Sequence, residues 1–106
     1  MNLVFKALSH PARRRMVAML RDGPLTSGEI AAAFDMAWPT VTGHLGALRD
    51  AGLVESERDG VSIRYRLNIS AAEEAVAFLM DLAGSGAARP EPAQGAESPK
   101  PERKPS

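Results

Sequence analysis

The chain has 106 residues, 44% of them apolar and 25% charged, which is the size and balance of one globular domain and leaves no room for two cores. It contains no cysteine, which excludes disulfides, thiolate metal sites, cysteine nucleophiles and thiol redox sensing, and two histidines are too few for an imidazole-rich metal site. The formal net charge of zero hides an asymmetry, because residues 1–21 hold Lys6, Arg13, Arg14, Arg15 and Arg21 and no acid, so a polyanionic partner stays open.

Asn2–Leu8 has Leu3, Val4, Ala7 and Leu8 at helical spacing and predicts a short first helix. Ser9-His10-Pro11 interrupts it and starts a second, because proline suits the first helical position after a polar cap. From Pro11 to Asp22, Ala12, Met16, Met19 and Leu20 share one face, and Asp22-Gly23-Pro24 ends the segment. Thr26-Ser27-Gly28-Glu29 is a capping box opening a helix over Ser27–Phe34, with Ile30, Ala33 and Phe34 inward. After a turn at Asp35-Met36-Ala37, a longer helix runs from Trp38 to Ala51 on an inward stripe of Val41, Leu45 and Leu48. Gly52 closes it. Two helices joined by a tight turn, the second carrying Pro39, Thr42, Gly43 and Gly46 outward, form a helix-turn-helix.

The period then changes from 3.6 to 2. Ile63, Tyr65 and Leu67 alternate with Ser62, Arg64 and Arg66, and Asp59-Gly60 lies between two extended stretches, which predicts a β-hairpin with Arg58 near its tip. Ser70-Ala71-Ala72-Glu73 reads as a second capping box, opening a last helix that ends near Ala83. Its apolar residues, among them Val76, Phe78, Leu79, Met80 and Leu82, cover more than the ~100° stripe that one core requires. The surplus, with the first helix, predicts a homodimer through Leu3, Val4, Val76, Phe78, Leu79 and Leu82. Residues 84–106 hold five of the eight prolines and no Leu, Ile, Val, Met or aromatic residue, and are expected to be a disordered tail after a folded domain over 1–83. The fold class expected is therefore mainly α with a small β-hairpin, a winged helix-turn-helix.

Taken together, these segments resemble the ArsR/SmtB-type winged helix-turn-helix repressors over residues 2 to about 82. The matching runs are Val4-Phe5-Lys6-Ala7-Leu8-Ser9-His10-Pro11-Ala12-Arg13-Arg14-Arg15, then Leu25-Thr26-Ser27-Gly28-Glu29-Ile30-Ala31, then Pro39 to Val54, and finally Gly60 with Tyr65-Arg66-Leu67. The nearest likeness is to the metal-independent SdpR-type autorepressors. Members that sense arsenic, cadmium or lead carry a Cys-x-Cys pair where this chain has Glu29-Ile30-Ala31-Ala32-Ala33-Phe34, and the zinc sensors' last-helix histidines are missing, so no metal and no cofactor are expected. The resemblance implies a cytoplasmic, homodimeric, sequence-specific repressor on a double-stranded DNA operator with an inverted repeat. It also implies autorepression relieved by a membrane protein that sequesters the repressor.

The DNA-contacting candidates are Trp38, Pro39, Thr40, Thr42, Gly43 and His44 on the second motif helix, with Arg13, Arg58 and Arg64 as phosphate or minor-groove cations. Trp38 has two readings, stacking on a sugar or a thymine methyl, or packing on the wing or the preceding helix. His44 reads as a phosphate or inter-helix contact, and Arg13 as a phosphate contact or half of an ion pair with an acid such as Asp50. Gly43 and Gly46 weaken the helix by ~1 kcal/mol each relative to Ala, and allow a close backbone approach to DNA. The alternative function is a winged helix that binds a protein and does not itself read DNA. No Ser, His and carboxylate are grouped at nucleophile–base spacing, so no catalytic residue is assigned and an enzyme is not expected.

Overall fold

The structure is a computed structural model that describes residues 1–84. In chain order it contains α1 (Asn2–Ala7), α2 (Pro11–Leu20), β1 (Leu25–Thr26), α3 (Ser27–Ala31), α4 (Trp38–Asp50), β2 (Val54–Asp59), β3 (Ser62–Leu67) and α5 (Ile69–Leu82). The chain divides into two compact units, Met1–Ala72 and a second that begins at Glu73. Apart from Gly84, the stretch expected as a tail lies outside the described residues.

The core of the first unit comes from every element the apolar periodicity marked. Met16 and Leu20 of α2, Ile30 of α3 and Val41, Leu45 and Leu48 of α4 are buried, joined by Leu53, by Val54 of β2 and by Tyr65 of β3. Each such aliphatic side chain contributes about 1.5–3 kcal/mol by leaving water. Val4 is 8% exposed within the protomer and belongs to this core. On a helix of six residues, Val4 and Ala7 lie three apart on the inward face, while Leu3 points the other way and is 63% exposed.

Three local features decide where α4 sits. Thr26 accepts a hydrogen bond from the Glu29 amide while the Thr26 amide donates to Glu29 Oε1, so the capping box is complete. The helix it opens stops at Ala31, three residues before the expected Phe34. There the Ala33 and Phe34 amides reach back only three residues, to Ile30 and Ala31, which tightens the chain into a turn. At the far end Gly52, at φ +82°, donates to the Arg49 carbonyl while Leu53 donates to that of Leu48. This Schellman closure needs the left-handed conformation that glycine adopts without penalty.

A three-stranded antiparallel sheet follows, in the order β1-β3-β2. Gly60, at φ +67°, and Val61 form the two-residue connection between Asp59 and Ser62. β1 carries no alternation at two residues and was not expected. It forms because Leu25 and Thr26 pair with Tyr65 and Arg64, putting β3 at the centre of the sheet. The start of α5 also differs from expectation. Asn68, not Ser70, caps it: Asn68 Oδ1 accepts from the Ala71 amide, while its Nδ2 donates to the Gly52 carbonyl. Asparagine wins because one side chain serves both the new helix and the exit of α4.

Asn68→Ala should therefore lower the unfolding free energy by about 1–2 kcal/mol, since a cap and a second hydrogen bond are lost together. Ser70→Ala, inside the first turn, should stay within about 0.5 kcal/mol of the parent. Urea titrations of the two variants check this, and equal losses would restore the cap to Ser70.

Candidate nucleic-acid interface

The helix-turn-helix consists of α3, a link over 32–37 and α4. Burial of Val41, Leu45 and Leu48 turns the opposite side of α4 outward, starting with Trp38, Pro39 and Thr40, all exposed. Gly43 is exposed too, and a Cβ built on it meets nothing within 4 Å. Thr42 is partly covered, and its hydroxyl donates to the Pro39 carbonyl at 3.1 Å, leaving the oxygen lone pairs to accept. The helix carries no cation before Arg49.

Trp38 packs on the preceding helix while keeping part of its surface exposed. Its indole lies against α3, close enough that a Cβ at Gly28 would sit 3.4 Å from its ring, yet 53% of the residue stays exposed. Gly28 thus lies beside the tryptophan that begins α4, at ordinary contact distance. A glycine in the capping-box sequence gave no sign of that contact, because it spans ten residues.

His44 and Arg13 come together across the helices. Arg13 Nε donates to His44 Nδ1 at 3.0 Å, and the rings of His10 and His44 lie 5.7 Å apart, tilted. An accepting Nδ1 places the proton of the neutral imidazole on Nε2, where it is a donor. The His44 pKa lies below its ordinary 6.5, chiefly through burial, then through the charges of Arg13 and His10. The other two arginines are engaged locally: Arg14 donates to the Leu8 carbonyl at 2.8 Å, and the Arg15 guanidinium lies 4.9 Å from the Phe34 ring centroid. Asp50 pairs with Arg49 at 3.9 Å rather than with Arg13.

The wing is β2, β3 and their turn. Arg64 donates to Asp59 at 2.7 Å, while Arg66 bridges Glu55 at 2.9 Å and Glu57 at 3.0 Å. Arg58 is exposed and, among the described residues, makes no ion pair with an acid. Of the two wing cations expected to face DNA, one is committed to a carboxylate and the other is not. Among the described residues no three His, Cys, Asp or Glu side chains gather to hold a metal, and no helix is long and apolar enough to cross a membrane.

Comparison with known proteins adds a frame to this geometry. Residues 8–57 match the family model described as a helix-turn-helix domain. The transcriptional repressor SdpR of Bacillus subtilis is 34% identical over 86 residues, covering 81% of this chain and 96% of its own. A crystal structure of an ArsR family transcriptional regulator superposes with a TM-score of 0.74 at 29% identity, covering 84% of this chain and 92% of that one. The homodimeric winged helix-turn-helix DNA-binding domain of a Mycobacterium bovis protein, solved by NMR, gives a TM-score of 0.64 at 29% identity, covering 81% and 80%.

The Arg13–His44 bond makes a pH prediction. With the folded pKa of His44 below 6.5, the unfolded chain binds the extra proton first as the pH falls. The stabilising contribution is whole above pH 6.5, declines below it, and levels off once the pH passes the folded pKa. The difference in urea midpoint between the parent and His44→Gln should shrink as the pH drops from 8 to about 5. A difference that grows towards acid would mean that the imidazolium is the favoured form.

Proposed function

The chain belongs to the ArsR/SmtB-type family of winged helix-turn-helix transcriptional repressors, and from that premise we propose that it works as a homodimer on an inverted-repeat DNA operator, without a metal. The observation that carries the reading is the outer side of α4, where Gly43 leaves the backbone bare between Thr42 and His44. A bare backbone lets the helix sit deeper in a major groove than any side chain would allow. In this reading Trp38, Pro39 and Thr40 enter first, Thr42 accepts from a base or meets a phosphate-linked water, and the Nε2 proton of His44 donates to a phosphate. Arg58 supplies the wing's cation. Arg13 acts through His44 by fixing its tautomer.

The dimer rests on the likeness to the homodimeric neighbour and on exposed apolar side chains. In α5, Val76, Leu79 and Leu82 are each more than half exposed, and Leu3 of α1 is exposed as well. Phe78 is proposed with the other α5 residues. Two α4 helices in successive major grooves would set half-site centres about 34 Å apart. The membrane-protein partner implied by the SdpR-type resemblance is part of this proposal and rests on that resemblance alone.

Gly43→Ala separates function from folding. The fold has space for the methyl group, so the variant should gain up to about 1 kcal/mol of stability from helix propensity. Binding to an operator selected from a random pool should weaken about tenfold, while affinity for random duplex stays level. An unchanged operator affinity would show that the backbone of α4 keeps its distance from the bases. Leu79→Asp should sediment as a monomer where the parent sediments as a dimer, and should lose the operator with it.

A further inference from the structure

The two strands of the wing hairpin, β2 and β3, carry opposite charges on one face. Along β2, Glu55, Glu57 and Asp59 alternate with residues of the other face, and along β3 so do Arg64 and Arg66. The register sets Glu55 against Arg66 and Glu57 against Arg64, with Asp59 opposite Ser62 and diagonal to Arg64. Long side chains reach such diagonal neighbours. The result is two adjacent groups, Arg64 with Asp59 at 2.7 Å and Arg66 between Glu55 and Glu57 at 2.9 and 3.0 Å, three acids and two bases in all. A fourth acid, Glu29, adds to the field at Arg64. Arg58, opposite Ile63 on the other face, stands outside both groups.

This arrangement changes what Arg64 offers to a polyanion. A free arginine that meets a phosphate displaces a condensed counterion, and that release is the main source of sequence-independent affinity. Arg64 already has a carboxylate as its counterion. A phosphate oxygen approaching its guanidinium must either displace Asp59 or lie beside it, with one anion against another.

We propose that Asp59 is a positioning residue that restrains the wing: its carboxylate neutralises Arg64, so that β3 adds no net cation to DNA binding and Arg58 alone supplies the wing's phosphate contact. The inference rests on the DNA-binding reading and goes further, because it assigns a role to an acid in what resemblance alone would mark as a basic element. Asp59 lies at the end of β2 with its side chain 58% exposed, so replacing it disturbs no core packing.

The test uses the full chain and a 30-base-pair random-sequence duplex, with affinity measured by fluorescence anisotropy across a salt series. Asp59→Asn should tighten binding roughly fivefold to tenfold near 0.1 M salt and steepen the slope of log K against log salt by about 0.9, the value for one added cation. Asp59→Glu should keep the parent's slope. Arg64→Ala should leave affinity within about twofold of the parent, and the double variant Asp59→Asn/Arg64→Ala should return to the parent's slope, because the cation that was released is gone. A parent that binds no duplex at low salt overturns the DNA-binding reading and this inference with it. A parent that binds while Asp59→Asn is unchanged or weaker overturns the inference alone, as does an Arg64→Ala variant whose slope is flatter by about one.

Discussion

The complete burial of one face of α4 is the constraint on which the interface depends. Val41, Leu45 and Leu48 are wholly excluded from solvent, as are Met16 and Ile30. α4 would not persist on local preferences. Its cap residue Ala37 makes no side-chain bond, and two glycines lie in its interior, each costing about 1 kcal/mol relative to alanine. A helix of 13 residues with that composition is held by tertiary packing. Because the interior is close-packed, the inward stripe also fixes rotation about the helix axis, and with it which residues point away. Gly43 can remain bare only because its neighbours on the other face are so firmly seated.

That stripe was legible in the sequence, and so was most of what depends on period or on a residue with special backbone needs. α2, α4, the hairpin and α5 emerged from spacing, the capping box from Thr26 and Glu29, and the closures from Gly52 and Gly60. What escaped has a common physical cause. β1 is too short to have a period and exists through its partner. The cap at Asn68 is chosen by a carbonyl sixteen residues away, at Gly52. Val4 faces inward because of where α1 is laid down, which its own spacing leaves undecided between two adjacent apolar residues. The partner of Arg13 is 31 positions distant. Long-range pairing selects among local alternatives that the chain leaves nearly equal.

The same holds for the candidate site. Residue types and positions along α4 could be read directly, but the availability of each group could not. Thr42 has its hydroxyl proton turned to its own helix, His44 has one nitrogen occupied, and Arg64 has a carboxylate at 2.7 Å. A charge that looks free in the sequence is often already satisfied in the fold, since opposite signs on neighbouring strands pair directly or along the diagonal. The strength of such a pair is modest, typically below 1 kcal/mol. Its consequence for a third charged partner is larger than its stability suggests, because neutralisation changes what that partner meets.

This bears on how a chain of zero net charge can serve a polyanion. Affinity from charge alone scales with the number of uncompensated cations at the contact, and in the wing, among the described residues, Arg64 and Arg66 have acid partners while Arg58 has none. The triplet at 13–15 is oriented by His44, the Leu8 carbonyl and the Phe34 ring, none of them an acid, so these arginines keep their charge. Arg64 and Arg66 are matched by acids across the hairpin. In the proposed reading, discrimination comes from fit: a bare stretch of helix, an indole packed beside Gly28 and a small set of oriented donors and acceptors. Shape and hydrogen bonding vary with base sequence, whereas phosphate attraction does not. A wing that spends its cations internally therefore shifts the balance of binding toward the element able to tell one sequence from another.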